Sequence, residues 1–174
     1  MAFYQFGDRV PEAGRGCYVS DSARVIGDVV IGDDCYIGHG AILRGDYGSI
    51  RLGPGTAVEE NAVIHIRPDG LSVLGERVTI GHGAIIHGDH IDDFAVIGMG
   101  AIISMNVIIG RWSIVAEGCV LTQGTEIGPE KFVTGVPGKI AGDIKDRHKD
   151  YWTWGKQLYV DLARSYCKKL KRID

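Results

Sequence analysis

The stretch Ile91-Asp-Asp-Phe-Ala-Val-Ile97-Gly-Met-Gly-Ala-Ile-Ile103-Ser-Met-Asn-Val-Ile-Ile109 carries an aliphatic residue at every sixth position, and Val115, Leu121, Ile127 and Val133 continue the series without a gap. Upstream, Val19, Val25, Ile31, Ile37 and Leu43 keep the same step, and Leu52-Val58-Ile64 and Leu74-Ile80-Ile86 fill the middle. A period of six matches neither the 3.6-residue turn of a helix nor the simple two-residue alternation of a strand. It predicts short strands separated by regular corners, a solenoid of flat sides. The residue two before each aliphatic is usually small: Cys17, Ala23, Cys35, Ala41, Thr56, Ala62, Ala84, Ala95, Ala101, Ser113, Cys119, Thr125. Residues two apart on a strand face the same way, so each side offers one large and one small side chain to a narrow interior. Gly-X-Gly recurs just after the aliphatic residue (Gly38 and Gly40, Gly53 and Gly55, Gly81 and Gly83, Gly98 and Gly100), where corners need backbone freedom. None of these completes GxGxxG, so nucleotide binding is not indicated.

With motifs such as Ile80-Gly-His-Gly-Ala-Ile and Ile97-Gly-Met-Gly-Ala-Ile, the chain resembles the hexapeptide-repeat, left-handed parallel β-helix proteins. The resemblance implies an all-β solenoid: a triangular prism with three six-residue sides per coil and coils stacked at roughly the 4.8 Å strand spacing. Its left hand, an exception to the right-handed crossover rule, comes from the family and not from the periodicity.

Elsewhere the composition is that of an ordinary soluble chain, 45% hydrophobic and 24% charged, long enough at 174 residues for one domain and an appendage. A net charge of −3 and a pI near 6.1 leave no basic footprint for nucleic acid. The opening residues lack the charged and apolar regions of a signal peptide, and no 18 apolar residues run together, so a cytoplasmic location without membrane contact is expected. Cys17, Cys35, Cys119 and Cys167 form no CxxC pair; the first three occupy the small interior slot and read as buried small hydrophobes. After Val133 the six-residue period stops at Thr-Gly-Val-Pro-Gly-Lys, with Pro137 ending a strand. Trp154, Leu158, Leu162, Tyr166 and Leu170 then recur every fourth residue, predicting an amphipathic helix from about Tyr151 to Lys171 whose apolar stripe buries on the prism or a neighbour. The expected division is a β-helix domain over 1–142 and a C-terminal α-helix segment, packed on the prism, over 143–174.

Assigning successive sides as A (Ile31), B (Ile37) and C (Leu43) puts residues of equal phase in vertical stacks. On side C the position after the aliphatic reads Arg44, His65, His87, Ser104, so two histidines sit on consecutive coils about 5 Å apart and point outward. On side B the position two after the aliphatic reads His39, Glu60, His82, Met99, which places His82 at the height of His87 on a different side. One prism does not easily gather all three. Two prisms packed side B to side C do, and the simplest closed ring of such contacts is a homotrimer with its metal sites at subunit interfaces. Three neutral imidazoles with an open fourth position suit a catalytic zinc. His39, His90 and His148 read as ordinary surface histidines.

These residues narrow the resemblance to the γ-class carbonic anhydrases and their bacterial relatives, over nearly the whole chain. That resemblance implies His65, His82 and His87 as ligands of Zn2+ (Fe2+ and Co2+ being other candidates), with the middle one supplied by the neighbouring subunit. It makes carbon dioxide and bicarbonate the substrate pair, hydrated by hydroxide that the zinc makes available near neutral pH. Arg44-Gly45-Asp46 matches the family's Arg-Gly-Asp, and its arginine is expected to pair across the interface with Glu60. Glu59 and Glu60 stand where the family usually has Gln-Asp, Tyr47 stands where a shuttling glutamate follows Arg-Gly-Asp, and Arg67-Pro68-Asp69 replaces an acidic loop. A weak hydratase is therefore expected, with Arg44, Asp46, Glu59 and Glu60 as outer-shell groups, Glu59 as the one carboxylate able to carry protons, and Tyr159 as a tail tyrosine near the metal. Two other functions fit the fold: a hexapeptide-repeat acyltransferase or acyl-CoA-processing enzyme, for which the only lysine-rich stretch is Lys168-Lys169-Leu-Lys171-Arg172, and a non-enzymatic metal-binding scaffold.

Overall fold

The computed structural model describes residues 2–174. Short strands form where the six-residue period places them. Tyr18–Val19, Tyr36–Ile37, Ala57–Val58, Thr79–Ile80, Val96–Ile97, Ile114–Val115 and Lys131–Thr134 stack in parallel as side B, about seven turns high. Tyr18 pairs with Tyr36, a step of 36 − 18 = 18 residues, and Tyr36 pairs with Ala57, a step of 57 − 36 = 21. The longer step holds the Asp46-Tyr-Gly insertion. Sides A and C join in one sheet because Arg24–Ile31 and Ile42–Leu52 run round their shared corner without a break. The two insertions lie one above the other there, the Asp69 N–H donating to the Tyr47 carbonyl at 3.1 Å.

The interior follows the large and small alternation. Ile37, Leu43, Ile64, Ile80, Ile86 and Ile97 are fully buried, as are the small partners Cys35, Ala41, Ala62, Ala84, Ala95 and Ala101. Each large side chain contributes roughly 1.5–3 kcal/mol on burial, and the small ones leave it room. Cys17, in the lowest coil, is half-buried against the same core. Corner backbone is set by two requirements that meet around His82. A Cβ on Gly81 would stand 2.8 Å from the Met99 nitrogen of the next coil, whereas Gly83 has open space but φ of +67°, so it serves conformation. Asn61 takes the same left-handed turn one coil below.

Two features depart from the sequence expectations. Beyond Pro137 the chain turns back as Lys139–Asp143, antiparallel to Lys131–Thr134, closing the open end of side B. The helix, α1, spans Asp146–Lys169, beginning 151 − 146 = 5 residues earlier than the apolar spacing indicates. Polar capping explains the early start: the Lys145 N–H donates to His148 Nδ1 at 3.1 Å, and Asp146 places a carboxylate in the first turn.

The helix also buries a different face from the one expected. Val160, Ala163 and Lys156 are buried on side B, with Tyr159, Leu162 and Tyr166 packed beside them, while Trp154, Leu158 and Leu170 stay exposed. A four-residue repeat advances 400° per step, so the stripe drifts around the helix. The surface it docks on selects the residues that go inside. Lys156 is 2% exposed; its Nζ donates to Thr79 Oγ1 and to the Ala95 carbonyl, both at 3.1 Å, and lies 5.6 Å from the Trp152 ring centroid.

Burial, helped by the charge of Arg77, lowers the Lys156 ammonium from 10.5 to about 7. The unfolded chain then binds more protons between those values, so stability must rise with pH from about 7 to 10.5. Thermal melts of the wild type are expected to show that rise, on the order of a few kcal/mol, and Lys156→Met to flatten it. Equal slopes in both proteins would mean that burial does not disfavour the Lys156 ammonium.

Candidate metal centre

Strand register builds the first half of the centre. Arg44 pairs with His65, and Ile64 with Ile86, so the residue after Ile86, His87, stacks directly above His65 on side C. The two rings meet edge to face with centroids 4.8 Å apart, and His65 Nδ1 lies 3.2 Å from His87 Nε2. Two nitrogens at 2.0–2.1 Å from a tetrahedral ion stand about 3.3–3.4 Å apart, so this spacing suits a shared divalent metal. Arg44 Nη2 donates to His65 Nδ1 at 3.2 Å, and Arg44 Nη1 to Asp46 Oδ2 at 2.7 Å. His65 Nε2 lies 3.4 Å from Asp46 Oδ1, yet it is buried without a hydrogen-bond partner. Such an orphan is costly unless something further binds it.

His82 stands at the corner of sides B and C between two carboxylates. Glu60 Oε2 is 2.9 Å from Nδ1, and Glu59 Oε2 is 3.1 Å from Nε2 and also accepts the His82 backbone N–H at 3.1 Å. Among the described residues of one chain, no three His, Cys, Asp or Glu side chains form a metal-binding group. The reason is geometric: His82 occupies a different side of the prism from the His65–His87 pair. Beside it a cleft of about 270 Å³ runs between side B and α1, lined by Glu59, Thr79, Met99, Trp154, Leu158 and Tyr159.

Burial, then the charges of Arg44 and His87, lower the His65 imidazole, which favours the neutral ligand form. Burial works to raise the Asp46 carboxyl, but hydrogen bonds from Arg44 and the Tyr47 N–H outweigh it. Burial likewise works to raise Glu60, and is outweighed by the Tyr36 hydroxyl, its own backbone N–H and the charge of His82. Burial and a hydrogen bond to Glu59 push the Tyr159 phenol up, so it stays protonated.

Of the residues selected from sequence, the chain therefore brings Arg44, Asp46, His65 and His87 into one cluster, and Glu59, Glu60, His82 and Tyr159 into a second. Within one chain Arg44 is engaged by Asp46 and His65, and Glu60 by Tyr36 and His82. Tyr36 was missed. It is fully buried and donates its hydroxyl to Glu60 Oε1 at 2.6 Å. The six-residue phase places it outward, just before Ile37 and one coil below Glu60, but carries no signal of a hydroxyl–carboxylate contact between coils. Lys156 carried no signal, because a lysine in an amphipathic helix ordinarily faces water.

No family model matches the chain. Among curated relatives, the mitochondrial γ carbonic anhydrase 2 of Arabidopsis thaliana is 33% identical over 93% of this chain and 60% of its own length. The carnitine operon protein CaiE of a Proteus species is 35% identical over 94% of this chain and 83% of its own. Among solved structures, a hexapeptide transferase family protein from Anaplasma phagocytophilum superposes with a TM-score of 0.88 at 31% identity, covering 95% of this chain and 98% of the other. A Bacillus cereus protein described as a candidate acetyltransferase superposes at 0.92 and 25% identity, covering 95% and 96%. The fold is thus a left-handed parallel β-helix of hexapeptide repeats with one C-terminal helix. The chain belongs to the hexapeptide-repeat family that includes the CaiE proteins and the Anaplasma protein, and the γ carbonic anhydrases are among its relatives. It spans 60% of the length of the two Arabidopsis relatives.

Proposed function

We propose that this protein is a zinc-dependent hydratase that interconverts carbon dioxide and bicarbonate, working as a homotrimer with one metal per subunit interface. The observation that carries the reading is the converging pair of His65 Nδ1 and His87 Nε2, 3.2 Å apart, in a chain related to γ carbonic anhydrases along nearly its full length. His65 and His87 of one protomer and His82 of the next would hold the ion. When bound, zinc supplies a nucleophile for carbon dioxide near neutral pH; Fe2+ or Co2+ would occupy the same nitrogens.

The remaining roles belong to the chain itself. Arg44 and Asp46 orient the His65 ring, and Glu60 holds Nδ1 of His82, so that Nε2, now beside Glu59 Oε2, is the nitrogen that would take the metal. Glu59 Oε2 is the atom positioned to take a proton, but Glu59 is 6% exposed and Tyr159 covers it, so export to solvent is slow. Met99, Trp154 and Leu158 leave an exposed apolar surface beside His82, and Ile85 and Ile102 another on side C, a pairing that supports contact with further copies. All four cysteines are free thiols, which supports a reducing compartment such as the cytoplasm. Among the described residues no helix is long and apolar enough to cross a membrane.

The structural neighbours favour a second reading, an acyl-group transferase, because a candidate acetyltransferase shares the fold at a TM-score of 0.92. A metal-holding scaffold would bind zinc without turnover. Metal analysis with a carbon dioxide hydration assay separates the three: zinc with turnover, no zinc, and zinc without turnover.

Light scattering should give three times the 18.8 kDa chain mass, and His82→Ala should lose zinc as completely as His65→Ala or His87→Ala. A metal-replete monomer, or stoichiometric zinc in the His82 variant, would refute the shared site. If sides B and C meet in this way, Arg44 and Glu60 of neighbouring protomers come together one level below the metal. Removing one partner of a partly buried pair then costs up to about 3–5 kcal/mol, and a double-mutant cycle of Arg44→Ala and Glu60→Ala on trimer stability should show coupling. Simple additivity would place the two apart. Hydratase activity should be weak, rise with pH and respond to added small buffers, since an external base substitutes for a slow internal one. Glu59→Gln removes a negative charge beside the site and should move the activity profile to lower pH. A fast, buffer-independent wild-type rate would show that protons leave by another route.

A further inference from the structure

We propose that Tyr36 is a positioning residue for the metal ligand His82, acting through Glu60 as a hydroxyl–carboxylate–imidazole relay from beneath the C-terminal helix. The inference rests on the reading of His82 as a ligand. Its geometric basis is continuous: the Tyr36 hydroxyl donates to Glu60 Oε1 at 2.6 Å, and Glu60 Oε2 stands 2.9 Å from His82 Nδ1. An ionised carboxylate only accepts hydrogen bonds, so Glu60 holds a proton on Nδ1; Nε2, 3.1 Å from Glu59 Oε2, is the nitrogen a metal would take in place of that contact. A glutamate alone is a loose support, since its side chain has three rotatable bonds and Glu60 is 30% exposed. Tyr36 removes that freedom because it cannot itself move. It is 1% exposed, stacked on Tyr18 at 5.5 Å between centroids, and pressed against Tyr159 at 5.4 Å and Tyr166 at 5.8 Å.

Tyr159 and Tyr166 belong to α1 and Tyr18 and Tyr36 to side B, so docking of the helix fixes the ring whose hydroxyl fixes Glu60. The helix thereby does more than cover a sheet. It sets the orientation of a histidine through two intervening side chains. Glu60 keeps lone pairs for Arg44 of a neighbouring protomer, because a carboxylate offers about four acceptor positions.

Tyr36→Phe tests this, since it keeps the stacked ring and removes only the hydroxyl. In the wild type, the Nδ1 proton of His82, assigned by its absence in His82→Ala, should be visible by 15N-edited NMR and exchange slowly. Tyr36→Phe should accelerate that exchange and weaken zinc binding by about 10–100-fold in chelator competition, with the mass by light scattering unchanged. In a Glu60→Gln background, Tyr36→Phe should have no further effect on zinc affinity, which a merely structural role for the ring would not produce. A Tyr36→Phe protein with wild-type proton exchange and zinc affinity would overturn the relay, as would losses that add fully to those of Glu60→Gln. A wild type that takes up no zinc would instead remove the metal-site reading, and the proton exchange in the metal-free protein would still decide whether Tyr36 holds Glu60 on His82.

Discussion

A triangular interior only a few side chains wide governs the whole molecule. Each six-residue side turns two residues inward, mostly one large and one small, as Ile97 beside Ala95, while side A seats Ile50 with Leu52. Because every coil fills the same narrow section, each must sit squarely on the last. A slip of one residue along a strand would turn the inward pair outward. Where extra residues are inserted, at Asp46-Tyr-Gly and around Pro68-Asp-Gly, they leave through the same corner and bond to each other, and the stack resumes in phase.

That rigidity makes the site possible. His65 and His87 approach to 3.2 Å because two consecutive coils place the same outward position at successive heights, with no loop or flexible segment involved. His82 reaches its corner because Gly81 lets two coils touch and Gly83 turns the chain left-handed. The charged groups then divide the labour. Arg44 and Asp46 serve the stacked pair, and Glu59 and Glu60, with tyrosines behind them, serve His82. A scaffold made of rungs cannot bring these two clusters together within one copy, since they lie on different faces of a prism that does not bend.

Hexapeptide-repeat prisms support acyl transfer as readily as metal chemistry, and the solved structures that superpose on this chain include both a transferase-family protein and a candidate acetyltransferase. Fold likeness therefore does not decide between them. What separates the readings is the local chemistry of the outward positions, where this chain puts histidines on consecutive coils and carboxylates behind the third. The helix contributes to the same distinction. Its polar N-terminal cap at His148 and its buried Lys156 orient it so that Tyr159 and Tyr166 enclose Tyr36.

The sequence by itself determined the solenoid, its coil length, the inward residues and the vertical order of Arg44, His65 and His87, because a fixed period converts chain position directly into height and side. It also determined that His82 faces away from the stacked pair. Only the tertiary structure decided which face of the helix is buried, since Trp154 and Leu158 fit the apolar spacing while Lys156, Val160 and Ala163 fit the surface of side B. It alone turned Lys139–Asp143 back as a closing strand and placed the Tyr36 hydroxyl on Glu60. These contacts join residues far apart in the chain through shape and hydrogen-bond geometry, and the six-residue period holds no information about how a helix outside it will dock.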